Sequence, residues 1–240
     1  MEYYEQMFTA MFVLLPALLL TFISQISMAL TYAKHAKKKN PGGLSASAAA
    51  EKVLKYHKLP SEVHMIEGNM IDKYDIKTDT VNLTSAVHKD TSMAAVCVAV
   101  HECAHAVQTK KGNTLLKIRD KSLIICNVLA SLAWILILIG LFYGSDYGTM
   151  LFNVGVAFYL IPVVFFLICL PMEIGASQIA KKDIEALKIY EGDDLKHVEK
   201  CLGAAAMFYM GSLSNAFSNI FRFAMYARLG LNKKKKKEKK

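Results

Sequence analysis

The chain has 240 residues, of which 54% are hydrophobic, with a formal net charge of +9 and five cysteines. Its apolar residues are concentrated in long uncharged runs that would be costly to expose to water, which excludes an ordinary soluble globule. The cysteines are odd in number and include no C-x-x-C pair, which excludes a disulfide framework or a thiolate zinc site.

The positive charge is concentrated at the carboxyl terminus. Residues 233–240 comprise seven Lys and one Glu, so this stretch carries +6 of the net +9. A terminal lysine run beside an apolar segment is typical of contact with anionic lipid at the cytoplasmic membrane face. Aromatic and basic residues are not interleaved, so we expect no nucleic acid partner.

Three uncharged apolar runs predict transmembrane helices at 7–33, 122–143 and 147–171. Each has about the twenty apolar residues that cross a hydrocarbon core. The first run lacks the basic start and the cleavage site of a signal peptide, so we expect it to be retained. Only Gly144-Ser145-Asp146 separates the second run from the third, which predicts a helical hairpin.

Basic residues flank these runs on one side of the predicted membrane. The positive-inside rule therefore places the amino terminus outside and residues 34–121 and 172–200 in the cytoplasm. Residues 201–231 are apolar but carry a polar stripe. We favour a membrane-associated helix there over a fourth span, because a span would carry the 232–240 tail outside.

Residues 40–121 predict a small cytoplasmic α+β domain between the first two spans. Ser45 or Ser47 can cap a helix that runs to about His57. A second, Ala/Val-rich helix at about 91–109 is capped by Thr91 or Ser92. Alternating residues predict two strands, joined by a polar turn that contains three aspartates, at Glu62 to Ile66 and Thr80 to Thr84.

The second helix carries His101-Glu102-Cys103-Ala104-His105. Histidines four apart project from one helix face, so both imidazoles can reach one Zn²⁺ at about 2.0–2.1 Å. Glu102 is then placed as the general base that takes a proton from water. The alternative is an ordinary surface patch, but the hydrophobic residues before the motif favour a built site.

A catalytic zinc needs a third protein ligand and one open position. Glu173 is the best candidate, because the two-pass hairpin returns the chain to the membrane face that it left. A carboxylate beside an apolar span is otherwise expensive unless it is paired or coordinating. Weaker candidates lie farther into the charged segment that follows: Asp183, Glu185 and His197.

The mechanism also needs an oxyanion stabiliser, for which Tyr74 or His88 are candidates. The strand around Val81 to Leu83 either binds an extended substrate by strand addition or serves only the sheet.

Two groups of residues carry a family resemblance: His101 to Gln108, and Leu170-Pro171-Met172-Glu173 followed by Ala176-Ser177. With Asp72 to Asp75, they resemble the neutral zinc metallopeptidase family of bacterial membrane proteins (YugP-like). The architecture is more distantly similar to the HtpX and Ste24 membrane glutamate-zincins. The resemblance implies a zinc peptidase with ligands His101, His105 and Glu173 and the base Glu102. Ser177 stands where many glutamate-zincins have an Asp that orients a histidine.

We therefore expect an α-helical integral membrane protein with a cytoplasmic zincin-like domain, in a multi-pass topology in the bacterial cell membrane. Its function would be zinc-dependent endopeptidase cleavage of peptides or membrane-protein segments at the cytoplasmic face of the bilayer. The alternative is an inactive pseudoprotease that binds peptide partners, against which the intact Glu102 argues. A transporter is disfavoured, since the spans contain no ionisable residue.

Overall fold

The computed structural model describes residues 29–67, 71–142 and 146–203, with a few further positions in 19–27 and 213–220. The chain forms two compact units. The motif unit combines Ile26–Lys121 with Cys169–Phe208, and it contains all the predicted site residues. The apolar unit contains Met1–Gln25, Ser122–Ile168 and Tyr209–Lys240.

Helix α1 (Ala46–Tyr56) has Ser45 as its N-cap, one of the two alternatives that the sequence predicted. The Ser45 side chain accepts a hydrogen bond from the Ala48 amide, which satisfies one of the unpaired N–H groups of the first turn. The buried face of α1 is made mainly of small residues, with Ala49, Ala50 and Val53 fully buried. Such a face permits close packing against another helix.

A three-stranded sheet follows, with β1 (Glu62–Ile66), β2 (Lys73–Asp75) and β3 (Thr80–Thr84) in the order β1-β3-β2. β3 pairs in parallel with β1 and antiparallel with β2. The two predicted strands are confirmed, but β2 lies in the stretch that we predicted to be only a turn. Three residues are too few to show an alternating pattern, so β2 depends on its pairing with β3.

Helix α2 (Ser85–His88) is a single turn that leads to α3 (Met93–Lys110), the helix that carries the motif. Ser92 is the N-cap of α3, as one of our two alternatives predicted, and accepts from the Ala95 amide at 3.2 Å. α1 and the sheet pack against α3, so its Ala and Val side chains are buried on most of its circumference. The motif therefore lies on a rigid core helix.

Two long helices complete the labelled elements, α4 (Leu115–Phe142) and α5 (Asp146–Ala186). They approach closely at two glycines. A Cβ atom added at Gly155 would lie 2.8 Å from Ile137 Cγ1, and one added at Gly140 would lie 2.6 Å from the Phe152 nitrogen. Only a residue without a side chain fits at these two positions.

The predicted fold class, with three transmembrane helices and a fourth membrane-associated one, is wrong. Among the described residues, one helix is long and apolar enough to cross a membrane, Tyr147–Ala186. The run predicted as 122–143 belongs to a helix that begins at Leu115 and carries Lys117, Arg119 and Lys121 in its first two turns. In the part of the chain that the structure describes, its apolar stretch is Val128–Gly140. Run length reports only the apolar character of a segment, which was not enough to establish three spans. The predicted segment at 232–240 lies outside the described residues, as do most residues of the segments at 7–33 and 201–231.

Candidate metal centre

The two motif histidines lie one turn apart on α3, in the interior of the motif unit. Their ring centroids are 4.9 Å apart, with the planes at 86°. Both are buried, His105 almost completely. Ligand atoms of His101, Glu102 and His105 all lie within 4.8 Å of one another. Helical spacing alone therefore brings two imidazoles and a carboxylate together.

Glu173 joins this cluster from α5, although it is 72 residues from His101 in the chain. Its Oε2 lies 3.2 Å from His101 Nε2 and 3.5 Å from His105 Nε2. The residue is only 3% exposed. One carboxylate oxygen is thus directed at the same two nitrogens that would bind a metal ion.

The other ring nitrogen of His105 is held by Gln108, one turn farther along α3. The Gln108 amide nitrogen donates to the Met172 carbonyl at 2.8 Å, which orients the amide. Its Oε1 therefore faces His105 Nδ1, at 3.0 Å. An amide oxygen only accepts, so Nδ1 donates to it. Nε2 then faces the cluster, where it donates to Glu173 when protonated and offers a lone pair once deprotonated.

His101 has a weaker partner of the same kind in Ser177. The Ser177 hydroxyl donates to the Leu202 carbonyl at 3.1 Å, and its oxygen lies 3.4 Å from His101 Nδ1. The oxygen can then accept from Nδ1, which leaves Nε2 facing Glu173 in the same way. This is the position at which the resemblance implied an orienting side chain.

Glu102 is held by the sheet. The backbone N–H of Tyr74, in β2, donates to Glu102 Oε2 at 2.8 Å. The sequence did not predict this contact, because no side-chain pattern marks a backbone donor. The Tyr74 hydroxyl points away from Glu102 and donates to Asp79 at 2.7 Å. Burial raises the Tyr74 pKa above its ordinary value, and the contact with Asp79 adds to the rise.

Arg119, near the start of α4, reaches the cluster although the sequence analysis did not place it in the site. Its Nη1 donates to Glu173 Oε1 at 2.5 Å and lies 3.4 Å from His105 Nε2. In the sequence, Arg119 counted only as one of several basic residues beside an apolar run. Its role could not be identified because the contact depends on α4 and α5 both reaching the cluster.

Charges in the cluster shift the ionisation of its members. Burial lowers the pKa of His105, but the hydrogen bond with Glu173 and the negative charge of Glu102 outweigh it, so the pKa is raised. Burial acts to raise the pKa of Glu173, but hydrogen bonds from both histidines and the charge of Arg119 hold it well below its usual range. Glu173 is therefore ionised, as a metal ligand must be.

The remaining predicted residues lie apart from this cluster. Asp183 pairs with His57, with Nε2 and Oδ1 2.8 Å apart. The His197 ring packs against His35, with centroids 5.6 Å apart. His88 ends α2, and its buried Nδ1 has no hydrogen-bond partner among the described residues. Glu185 is exposed.

The donor set fits zinc. Two imidazole nitrogens and one carboxylate converge in a buried position, which is the ligand combination of many catalytic zinc sites. Each ligand candidate also has a hydrogen-bond partner behind it, as is usual around bound zinc.

Comparison with known proteins agrees with this chemistry. The chain is 29% identical over 215 residues to a Bacillus subtilis protein named "Putative membrane protease YugP", covering 89% of this chain and 94% of that protein. No solved structure matches the chain. A family model described as "Putative neutral zinc metallopeptidase" matches residues 10–228, which confirms the resemblance inferred from the motifs. Since that match spans most of its length, the chain belongs to this zinc metallopeptidase family.

Proposed function

We propose that the protein is a membrane-associated, zinc-dependent endopeptidase that uses the His101, Glu102, His105 and Glu173 cluster. The observation that carries the proposal is the convergence of Glu173 Oε2 on both histidine Nε2 atoms, within 3.5 Å. Sequence spacing alone accounts for the two histidines, but only a built site accounts for a buried carboxylate from a distant helix.

In this proposal His101, His105 and Glu173 hold the metal ion. Bound zinc would lower the pKa of a water molecule and polarise the scissile carbonyl group. Gln108 and Ser177 keep the Nε2 lone pairs of the two histidines directed inward. These contacts would hold the ligands in place before the ion binds, so little reorganisation is needed.

Glu102 is proposed as the general base. The Tyr74 amide holds Oε2, so we assign proton transfer to Oε1. This oxygen takes the proton from the attacking water and delivers it to the amide nitrogen as the peptide bond breaks. General acid–base transfer of this kind contributes about 10²- to 10⁴-fold to the rate.

Membrane association is supported by the relative, whose name describes a membrane protease, and by α5. Only 28% of the most apolar stretch of α5 is buried inside the protein, as expected of a helix that faces lipid. Lys181 and Lys182 follow the apolar stretch, while no Lys or Arg lies just before it. We therefore propose that the site is at the cytoplasmic face and acts on peptides or membrane-protein segments there, with the lysine tail on anionic lipid.

The test is a zinc and activity measurement on detergent-purified protein. We expect about one zinc per chain and cleavage of fluorescently labelled casein. Glu102→Gln should keep the zinc and lose about 10²- to 10⁴-fold in rate. Glu51→Gln, at an exposed position of α1, is the matched control and should retain both. A folded wild-type protein without zinc, or full activity in Glu102→Gln, would contradict the proposal.

A further inference from the structure

Glu173 uses its two carboxylate oxygens differently. Oε2 faces the histidine nitrogens, at 3.2 and 3.5 Å, while Oε1 accepts from Arg119 Nη1 at 2.5 Å. The Arg119 side chain is itself only 12% exposed. A mostly buried guanidinium therefore contacts the oxygen that does not face the two histidines.

A carboxylate without such a partner has two equivalent oxygens and can turn either one, or both, towards a cation. Inside a protein, an oxygen left without a hydrogen bond is also costly. A guanidinium is planar and remains protonated at every accessible pH, so it can hold a carboxylate oxygen but offers no lone pair to a metal. Arg119 thus has the chemistry of an orienting group and not of a ligand.

We propose that Arg119 is a positioning residue of the metal centre, which holds Glu173 Oε1 so that Oε2 alone faces the two imidazoles. This inference rests on the proposed function, because it takes Glu173 as the third ligand. It extends to Glu173 the support that Gln108 gives His105 and Ser177 gives His101.

Arg119 also has a second effect on zinc affinity, which is opposite in sign to the effect of positioning. The positive charge of Arg119 repels a divalent cation, and a purely electrostatic role would make the residue weaken zinc binding. Removing the guanidinium therefore separates the two roles. Lost positioning lowers zinc affinity, whereas relieved repulsion raises it.

The experiment measures zinc affinity in detergent-purified protein by competition with a chromophoric chelator. Arg119→Met removes the charge and the donors while retaining an unbranched apolar stem. We expect its affinity to fall about 10- to 100-fold, the usual effect of losing a group that orients a ligand. Arg119→Lys keeps the charge and one donor, and should recover part of that loss.

Lys117→Met is the matched control, because it removes one positive charge from an exposed position two residues earlier on α4. Its zinc affinity should equal that of the wild type. An Arg119→Met protein that binds zinc as tightly as the wild type, or more tightly, overturns the inference.

A second measurement separates failure of this inference from misfolding of the variant and from failure of the proposed function. In cobalt-substituted protein, the visible absorption spectrum reports the number and geometry of ligands, and we expect it to differ between Arg119→Met and the wild type. An unchanged spectrum counts against positioning. If the wild type itself binds neither metal, the proposed function fails, which is a different result from a variant that binds normally.

Discussion

The two halves of α5 are in different surroundings although one continuous helix carries them. In the first half large apolar side chains are exposed, among them Tyr147 at 76% and Met150 at 64%. In the second half Glu173 and Asp183 are buried at 3% and 4% exposure, together with Ala176 and Ala180. The first half therefore leaves many apolar side chains uncovered by protein, whereas the second half buries two acids among small apolar side chains.

This difference shows that hydrophobicity and burial are separate properties. The second half shares one hydrophobic core with α1 and α3, and its small Ala side chains leave room for the acids. Each of those acids has a specific partner, as buried charges require. The first half exposes many large apolar side chains, which an apolar solvent would accommodate better than water. We expect substitutions in the two halves to have correspondingly different effects.

The largest difference should be in zinc affinity, between Glu173→Ala and Val164→Ala. Val164 lies at a 53% exposed position of the first half. Removal of a ligand should lower zinc affinity by more than the roughly 100-fold that loss of an outer partner costs. Val164→Ala should leave it unchanged. Zinc titration of both proteins in the same detergent measures this, and unchanged affinity in Glu173→Ala would exclude that residue as the third ligand.

A packing substitution sharpens the comparison. Ala176 is fully buried in the core, so Ala176→Leu should lower the free energy of unfolding by about 1–3 kcal/mol through overpacking. Ala157 is exposed in the first half, and Ala157→Leu should stay within about 0.5 kcal/mol of the wild type. Denaturant unfolding in one detergent compares the two, and equal losses would mean that both halves are packed alike.

A third test concerns the His57–Asp183 pair. His57→Ala leaves the Asp183 carboxyl buried without its partner, which should cost about 1–3 kcal/mol. Burial raises the Asp183 pKa and His57 opposes the rise, so without His57 the charged form is disfavoured further. The loss should therefore grow as the pH increases through the Asp183 pKa and shrink in acid.

Unfolding of His57→Ala at several pH values measures this effect. His64→Ala is the matched control, because it removes an exposed imidazole and should change stability by less than about 1 kcal/mol. A loss in His57→Ala that does not depend on pH would show that the Asp183 charge is not involved.

Local patterns in the sequence predicted local structure well. The caps of α1 and α3 follow from serine before an apolar run, and β1 and β3 follow from alternation, because each depends on residues within a few positions. The same patterns failed on the membrane fold. Three apolar runs were read as spans from their length, but among the described residues one helix is long and apolar enough to cross a membrane.

The sequence alone determined the motif face, since histidines four apart on a helix must share one side, and it identified Glu173 as the best carboxylate to join them. Only the tertiary structure decided which atoms meet. The packing of whole helices and strands determines three contacts: Arg119 with Glu173, Gln108 with His105, and the Tyr74 amide with Glu102. Two of these three contacts join residues distant in the chain, where helical or strand periodicity carries no information. The third, at helical spacing, needed the Met172 carbonyl to orient the amide.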